Sequence, residues 1–362
     1  MKPQVSIVKV EKNGIKSAIN EAVQLLGGID SLIKPNGTYL LKPNLFTIKT
    51  SDQGATTDMR IVLALAEMIR GVGAKPIVGE CPAMAAYARP DTVFDGLGIR
   101  QLCEKYDVEL RVLDREPPVR VNYPNGVALD GFWMPELALT CDGIFNVPKL
   151  KTHVLTTLTC AVKNLFGLQQ GGSKAHHHVY TGNDPKRFSQ LLVDLYGSIR
   201  DRLSLNLVDA VIGMEGEGPA TGDPVQLDLI IAGRDAFAVD VVASSIVGWD
   251  PMEVGTNFLA AKSGMGPSSL KQINLLGEAI KEVTRSFKKP QTHQEGQQFV
   301  DAYMPIECDA AKCAECGICS QVCPVKAIEM RGPPEFNKKR CIQCFCCIEL
   351  CPHGSLRAVR KN

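Results

Sequence analysis

The sequence predicts an α/β fold with a mostly parallel sheet and helices on both faces, followed by a small α+β domain rich in cysteine. The first observation is that short apolar runs alternate with stretches of helical periodicity through most of the chain. The second is a cysteine motif that occurs twice near the C-terminus and ends each time in Cys-Pro. We therefore expect an α/β domain over residues 1–285, a linker over 286–305 and a cysteine-rich domain over 306–362.

The predicted elements follow from the alternation, taken in order along the chain. Apolar runs predict strands at residues 5–10, 38–41, 76–79, 109–114, 143–147, 206–212 and 227–232. Helical periodicity predicts helices at residues 15–26, 57–71, 99–106, 155–166, 187–203 and 236–247. Thr57 is the expected cap of the second helix. Residues 117–139 have no clear period, and the change to Lys, Gln, His and Pro after residue 286 predicts the linker.

The bulk properties describe an ordinary globular chain. Hydrophobic residues make up 45% of it and the formal net charge is +1, which gives no support for nucleic acid or an anionic membrane as the principal partner. No apolar run reaches membrane-spanning length and the N-terminus has no apolar signal region, so we expect no membrane span and a cytoplasmic protein. Six of the 14 cysteines fall outside the repeated spacing, which suits reduced thiols better than a disulfide framework.

The cysteine motif has the spacing of a two-cluster iron–sulfur protein. It reads Cys-x-x-Cys-x-x-Cys-x-x-x-Cys-Pro from Cys313 and again from Cys341. In such runs the fourth cysteine of each half ligates the other cluster, because the proline ends the local turn and directs that thiolate away. We therefore predict two [4Fe–4S] clusters. The ligands would be Cys313, Cys316, Cys319 and Cys351 for the first cluster, and Cys341, Cys344, Cys347 and Cys323 for the second.

Zinc and disulfides are the alternative uses of these cysteines. Zinc favours two separated cysteine pairs, or sets of cysteine and histidine, that close one tetrahedral site. Disulfides need an oxidising compartment, and nothing in the sequence indicates export. Each half alone buries little apolar surface, so a pair of clusters would serve as the core of this short segment. Cys346 stands where the first half has Ile318, and we expect a buried thiol there.

Polar residues gather where the predicted strands end. In open α/β sheets, ligands bind in the crevice at the carboxyl ends of the strands. The residues that follow four of the predicted strands are Lys42, Asn44, Glu80, Cys81, Lys149, Lys151, His153, Glu215 and Glu217. In the helix predicted over 155–166, Thr156, Thr159 and Lys163 would share one face. The sequence therefore predicts an anion site at this edge of the sheet.

This crevice would bind a small anionic substrate. The candidate substrate-binding residues are Lys42, Asn44, Lys149, Lys163 and Asn164, and the candidate catalytic residues are Lys151, His153 and Glu215. His153 or Glu215 would move protons. The plain alternative is that the lysines are solvated, that the threonines pack, and that the glycine-rich loop 213–222 is a set of turns with positive φ. The run 176–178 is a weaker metal candidate, because adjacent histidines rarely converge on one ion.

The chain resembles two known families. Residues from about 307 to 357 resemble a bacterial-type ferredoxin with two [4Fe–4S] clusters, since all eight ligand positions and both prolines match. Residues from about 5 to 248 resemble the family named domain of unknown function 362. The matching stretches are Leu41-Lys-Pro-Asn44, Lys149-Leu-Lys-Thr-His153, Lys163-Asn-Leu-Phe-Gly167, Gly213-Met-Glu-Gly-Glu-Gly-Pro219 and Ala238-Val-Asp240. The second resemblance implies an architecture and no settled activity.

Electron transfer is the predicted activity. In the first hypothesis the chain is an iron–sulfur oxidoreductase, whose clusters exchange electrons with a redox partner protein and with the substrate in the crevice. In the second, it is a non-enzymatic electron carrier whose α/β domain docks another redox enzyme. In the third, it is a maturation factor that holds a metallocofactor precursor. The sequence has no flavin or nicotinamide motif and does not identify the final acceptor.

Overall fold

The computed structural model describes residues 2–11, 14–83, 91–182, 184–300 and 304–359. The strands are β1 (Gln4–Lys9), β2 (Thr38–Pro43), β3 (Lys75–Glu80), β4 (Glu109–Val112), β5 (Pro118–Asn122), β6 (Gly131–Pro135), β7 (Gly143–Val147), β8 (Lys149–His153), β9 (Thr157–Thr159), β10 (Leu203–Glu215), β11 (Asp223–Gly233), β12 (Asn274–Gly277), β13 (Ile306–Cys308), β14 (Ile328–Met330), β15 (Pro334–Phe336) and β16 (Leu356–Ala358). The helices are α1 (Gly14–Gln24), α2 (Met59–Gly71), α3 (Asp91–Gly96), α4 (Ile99–Lys105), α5 (Glu136–Thr140), α6 (Ala161–Asn164), α7 (Ser173–Thr181), α8 (Pro185–Ile199), α9 (Ala236–Ile246), α10 (Gly255–Lys262), α11 (Ile280–Val283), α12 (Ile318–Gln321) and α13 (Cys346–Glu349).

Ten of these strands form one mixed sheet. Its order is β12-β1-β11-β10-β7-β2-β3-β4, and β8 pairs with β10 and with β9. The pairs from β10 through β7, β2 and β3 to β4 are parallel, whereas β11 is antiparallel to both of its neighbours. The predicted α/β class with a mostly parallel sheet is confirmed. β7 is buried at every residue, which is typical of a central parallel strand.

The sequence did not predict β8, which carries three of the candidate site residues. The sequence predicts a strand that stops at Val147, but after Pro148 the chain continues as β8 and pairs with the second half of β10. This is possible because β10 is 13 residues long and its edge accommodates first β7 and then β8. Side chains alternate along a strand, so Lys149, Lys151 and His153 project to the same side of β8.

The helix predicted over residues 155–166 is wrong in its first half, and only residues from Ala161 onward are helical. The structure has β9, antiparallel to β8, and then the short helix α6. Thr157 has a φ of 65°, which a right-handed helix does not allow. Threonine is also β-branched and favours a strand over a helix. Thr156, Thr159 and Lys163 therefore do not share a helix face.

The start of α2 differs from the prediction by one residue at its cap. Asp58, not Thr57, is the N-cap, and its carboxylate accepts a hydrogen bond from the N–H of Arg60 at 2.9 Å. The Thr57 hydroxyl instead donates to the carbonyl oxygen of Val147 at 2.7 Å and accepts from the N–H of Asn44 at 2.8 Å. Thr57 thus ties the end of β2 to the end of β7.

The cysteine-rich segment consists of two strand–helix–strand units. The first unit is β13, α12 and β14, and the second is β15, α13 and β16. β13 pairs with β16 and β14 with β15, both antiparallel, so each two-stranded sheet takes one strand from each unit.

The stretch predicted as a linker packs against the α/β part. Its described residues form no helix or strand. Trp249 Nε1 donates to the carbonyl oxygen of Phe287 at 3.1 Å, and the Thr292 hydroxyl donates to that of Val154 at 2.7 Å. The chain thus runs along the α/β part before it enters the cysteine-rich segment.

The helices are short relative to the thickness of a bilayer. Over the described ranges, none combines the length and the apolar character needed to span a bilayer.

Candidate functional site

A cavity of about 80 Å³ that contains several charged side chains lies beyond the carboxyl ends of β2, β3 and β8. One side is formed by the α/β part and the other by α13 of the cysteine-rich segment. The lining residues are Asn44, Phe46, Glu80, Cys81, Ala83, Lys151, His153, Thr159, Lys163, Asn164, Phe166, Gly167, Lys174, His178, Pro219, Cys346, Glu349 and Leu350. The rule that ligand crevices lie at strand ends therefore located this site.

Lys42 and Glu80 form a buried ion pair, and Glu80 lines the cavity. Their Nζ and Oε2 atoms are 2.8 Å apart, and Glu80 Oε1 accepts the N–H of Cys81 at 2.9 Å. Burial lowers the pKa of Lys42 and raises that of Glu80, and each partner opposes the shift of the other. Gly167 covers the pair, because a Cβ there would lie 2.3 Å from Glu80 Oε1 and 2.4 Å from Lys42 Nζ. Only glycine fits at this position.

A ladder of buried amides fixes the position of Lys151. Lys151 Nζ donates to Asn44 Oδ1 at 2.9 Å, and Asn44 Nδ2 donates to Asn164 Oδ1 at 2.8 Å. The ladder continues from Asn164 Nδ2 to Asn146 Oδ1 and from Asn146 Nδ2 to Asn206 Oδ1, each at 2.8 Å. The sequence predicts Asn44 and Asn164 as substrate-binding residues. In the structure, both side chains form hydrogen bonds within this ladder.

Lys149 does not line the cavity. Its Nζ lies 2.9 Å from Asp209 Oδ2, and both side chains are buried. The same carboxylate oxygen also accepts the N–H of Asp58 at 2.7 Å. Lys149 therefore balances a buried charge on β10, and its predicted role in substrate binding has no support from its position.

His153 is neutral and carries its proton on Nε2. The N–H of Leu155 donates to Nδ1 at 3.0 Å, so Nδ1 must keep its lone pair. Nε2 lies 3.3 Å from Glu349 Oε1, on α13. Burial lowers the pKa of His153 well below its usual value, and the nearby Lys163 and Lys151 lower it further. The ring therefore presents an N–H at the junction of the α/β part with the cysteine-rich segment.

Lys163 lies in the cavity without a hydrogen bond or ion pair inside the described part of the chain. Its helix α6 begins where Asp240 accepts the N–H groups of Ala161 and Val162, at 2.6 and 3.2 Å. Lys163 Nζ is 4.6 Å from the centre of the Phe166 ring. Burial lowers the pKa of Lys163, and the carboxyl group of Glu349 opposes that shift.

Lys151 is held in a similar environment. Its Nζ lies 3.9 Å from the centre of the Phe46 ring and also donates to the carbonyl oxygen of Ala55. Burial lowers the pKa of Lys151 well below its usual value, followed by repulsion from Lys163 and Lys149.

Of the remaining predicted residues, one lines the cavity and two lie outside its lining. Glu215, a candidate catalytic residue, and Glu217 are both outside the lining: Glu215 Oε2 accepts the N–H of Lys288 at 3.0 Å, and Glu217 Oε1 that of Gln291 at 2.7 Å. They anchor the segment that leads to the cysteines. His178 lines the cavity and stacks on Phe188 with ring centres 4.6 Å apart, and burial lowers its pKa to about 3.

Sequence reasoning did not assign a site role to Lys174, Cys346 or Glu349. Lys174 Nζ donates to the carbonyl oxygen of Cys81 at 2.7 Å, which brings α7 over the end of β3. Cys346 is buried, as expected, and lines the cavity. The available signal was that the second cysteine half departs from the first at this position and at Glu349, where the first half has Gln321.

Four of the eight motif cysteines, the first and the fourth of each half, receive backbone hydrogen bonds at matching places in the two halves. The N–H of Glu315 donates to Cys313 Sγ at 3.4 Å and that of Gln343 donates to Cys341 Sγ at 3.4 Å. The fourth cysteines repeat the pattern. Ala327 N–H donates to Cys323 Sγ at 3.1 Å, and Ser355 N–H donates to Cys351 Sγ at 3.4 Å. Such N–H···S bonds suit sulfur atoms that carry negative charge, as cluster ligands do.

The thiols fall into two groups of close neighbours. Burial raises the pKa of Cys319, and the thiols that raise it further are those of Cys351, Cys316 and Cys313. Burial also raises the pKa of Cys347 well above its usual value, followed by the thiols of Cys344, Cys341, Cys323 and Cys319. Among the described residues, no group of three or more His, Cys, Asp or Glu side chains is arranged to hold a metal ion. The fit to clusters thus rests on spacing, grouping and N–H···S bonds.

Comparison with known proteins identifies the family of the α/β part. The model of the family described as Domain of unknown function (DUF362) matches residues 40–245. The chain is 31% identical over 287 residues to a protein described as a thylakoid-associated protein from Synechocystis sp. (strain ATCC 27184 / PCC 6803 / Kazusa). The aligned part covers 78% of this chain and 85% of that protein. No solved structure matches the chain. The family match includes β2, β8, α6 and most of the cavity lining, and the chain belongs to the DUF362 family.

Proposed function

We propose that the chain is an iron–sulfur electron-transfer protein whose ferredoxin-like C-terminal domain, with two [4Fe–4S] clusters, exchanges electrons with a substrate in the cavity. The observation that best supports this proposal is the position of α13, which lines the cavity. Cys347, one of the thiols assigned to the second cluster, directly follows Cys346, and Cys344, another, lies two residues before it. Cys346 and Glu349 form one wall of the cavity. A cluster held by these thiols would therefore lie next to the cavity.

The cysteine spacing supports the cluster assignment, and the backbone supports it independently. The neighbouring thiols sort into the two sets that the spacing predicts, with one additional approach of Cys319 to Cys347. When bound, the clusters supply or accept single electrons. The N–H groups of Glu315, Gln343, Ala327 and Ser355 would stabilise the negative charge on the sulfur atoms to which they donate.

The other wall of the cavity supports a role in handling a substrate. Lys151 and Lys163 supply cationic groups in a mostly buried space, where they attract an anion more strongly than at the surface. The amide ladder holds Lys151 in place, so that little reorganisation is needed on binding. His153 carries an N–H on Nε2 and can donate a hydrogen bond from it to a bound substrate.

Anaerobic purification with iron and sulfide analysis and EPR spectroscopy tests the clusters. We expect about eight iron atoms per chain and the signals of two reduced [4Fe–4S] clusters. About four iron atoms would show that one half holds no cluster, and zinc without iron would overturn the proposal.

A second experiment tests the link between clusters and cavity. The dithionite-reduced protein is mixed with small anionic oxidants and its reoxidation is followed optically. Lys151→Met should slow reoxidation, whereas the exposed Lys16→Met serves as a matched control and should not. Equal rates in both variants would argue against the cavity as the place where electrons are used.

Electron carriage without catalysis is a second candidate function, and the exposure of Cys316 favours it. Cys316 is exposed, so the first cluster would lie near the surface, where a partner protein could reach it. The two functions differ in one measurement. A carrier would exchange electrons with a protein partner at the same rate in the wild type and in Lys151→Met.

A further inference from the structure

The charged groups that line the cavity do not balance. The Lys42–Glu80 pair is neutral as a whole, and Lys149 is paired with Asp209 outside the cavity. Three other ammonium groups line it: those of Lys151, Lys163 and Lys174. Glu349 supplies one carboxyl group near them. With all of these groups ionised, the cavity has an excess of two positive charges.

The cavity also contains hydrogen-bond donors without acceptors. Thr159 is 3% exposed, and its hydroxyl has no partner among the described residues. Thr159 lies directly opposite Lys151 in the β8–β9 pair, so both side chains are on the same face. Lys174 donates one hydrogen bond to a backbone carbonyl, and Lys163 donates none within the described chain, although each ammonium group has three N–H bonds. The buried Thr159 hydroxyl needs an acceptor, and the half-buried Lys163 can donate to a ligand.

The walls of the cavity limit what can supply those acceptors. Its volume of about 80 Å³ accommodates a few water molecules or a ligand of a few heavy atoms. Phe46 and Phe166 form apolar faces next to the ammonium groups of Lys151 and Lys163. A space of this size suits a compact ligand better than a nucleotide-sized one.

We infer that the cavity binds a compact dianion, either a short dicarboxylate or an inorganic oxyanion, whose oxygens accept from Lys151, Lys163, Lys174 and the Thr159 hydroxyl. The dianion would be the substrate of the proposed electron transfer, and this part of the inference rests on the proposed function. The positive excess favours a ligand with two negative charges, and the unpartnered hydroxyl favours one with an oxygen acceptor. Binding itself involves no electron transfer and is measured separately.

Isothermal titration calorimetry of the full chain, purified anaerobically with its iron content known, tests this inference. Malonate and sulfate are the dianion probes and acetate is the singly charged control, all in a buffer of low ionic strength. We expect at least one dianion to bind about tenfold more tightly than acetate. A preference for malonate identifies carboxylates as the ligand chemistry, and a preference for sulfate identifies an inorganic oxyanion. Equal binding of all three, or no binding, overturns the inference.

Two variants locate the site. Lys163→Met should weaken dianion binding about 10- to 100-fold, since a hydrogen bond to a charged group is lost. Thr159→Val keeps the shape of the side chain and should weaken it about fivefold. Lys16→Met and Thr284→Val change exposed residues and are the matched controls. Unchanged affinity in both cavity variants would overturn the assignment, and Thr159→Val decides the matter if Lys163→Met does not fold.

The outcome is separable from that of the proposed function. Eight iron atoms per chain with no dianion binding would refute the dianion site alone. Dianion binding that depends on Lys163 in a chain without iron would refute electron transfer alone.

Discussion

The two halves of the cysteine-rich segment share a backbone and differ in what they face. Glu315 and Gln343 have φ values of 54° and 51°, and Gly317 and Phe345 have values of 72° and 61°. These positive φ values place the first three cysteines of each half along the same turn. The spacing of the cysteines therefore sets the conformation of both halves, whatever residues stand between them.

The residues between the cysteines determine the surroundings of each half. In the first half, Gln321 is exposed, whereas its counterpart Glu349 has a side chain only 12% exposed and contacts His153. In place of Ile318 the second half has Cys346, which lines the cavity. Gln321 of the first half therefore faces solvent, whereas Cys346 and Glu349 of the second half face the cavity.

Removing one predicted cluster ligand from each half in turn should produce the largest difference between the halves, which is their EPR response to a bound dianion. Cys316→Ala and Cys344→Ala should each leave about four iron atoms per chain, because each removes a ligand of one cluster. Malonate or sulfate, whichever binds, should alter the EPR spectrum of the reduced Cys316→Ala protein, because the proposed second cluster would border the cavity. The same dianion should not change the EPR spectrum of the reduced Cys344→Ala protein. Identical responses in the two variants would remove the functional difference between the halves.

Substitutions at the equivalent positive-φ positions Gly317 and Phe345 test how strongly side-chain packing offsets backbone strain. Phe345 is fully buried although its φ of 61° is unfavourable for a residue with a Cβ. Phe345→Gly should destabilise the chain by about 2–3 kcal/mol, since lost packing of about 3–5 kcal/mol exceeds the relief of about 1–2 kcal/mol. Gly317→Ala should cost only about 1 kcal/mol, because its new Cβ would meet nothing closer than 3.9 Å. Anaerobic denaturant unfolding measures both, and a stabilised Phe345→Gly would contradict the packing argument.

The sequence predicts what depends on neighbours along the chain. Apolar runs located the main strands, and the rule for strand ends brought Lys151, His153 and Asn44 to one cavity. The cysteine spacing predicted both the grouping of thiols and the equivalence of the two halves. These features are local, or follow from a general property of parallel sheets.

What the sequence did not predict depends on distant contacts. Lys149 resembles Lys151 in the sequence, and only the pairing of β8 with β10 places Asp209 beside it. The helix predicted over 155–166 failed because β9 pairs with β8. Closure of the cavity by α13 joins residues almost 200 positions apart, such as His153 and Glu349, and no local pattern predicts such a contact.

The cavity side should also be more sensitive to acid than the solvent side. Burial lowers the pKa of His178 to about 3 in the folded chain, whereas an unfolded histidine has a pKa near 6.5. Below about pH 6.5 the unfolded chain therefore binds the additional proton and stability falls with pH. Between pH 7 and pH 5 the free energy of unfolding should fall by about 2 kcal/mol more in the wild type than in His178→Phe. Denaturant unfolding at the two pH values measures this, and equal losses would show that His178 is not the group responsible.

Exchange of charge between Glu349 and its counterpart Gln321 gives the smallest and most specific effect. Glu349 is the carboxyl group that faces Lys163 and Lys151 across the cavity, so it competes with a bound dianion for their charge. Glu349→Gln removes that competition and should strengthen dianion binding about 3- to 10-fold, about 1 kcal/mol. Gln321→Glu adds the same charge at the exposed position of the other half and should change nothing measurable, because water and salt screen it. Calorimetric titration of both variants decides the matter. Weaker binding in Glu349→Gln would mean that Glu349 positions the ligand through His153, and the cavity wall from α13 would then be part of the binding site.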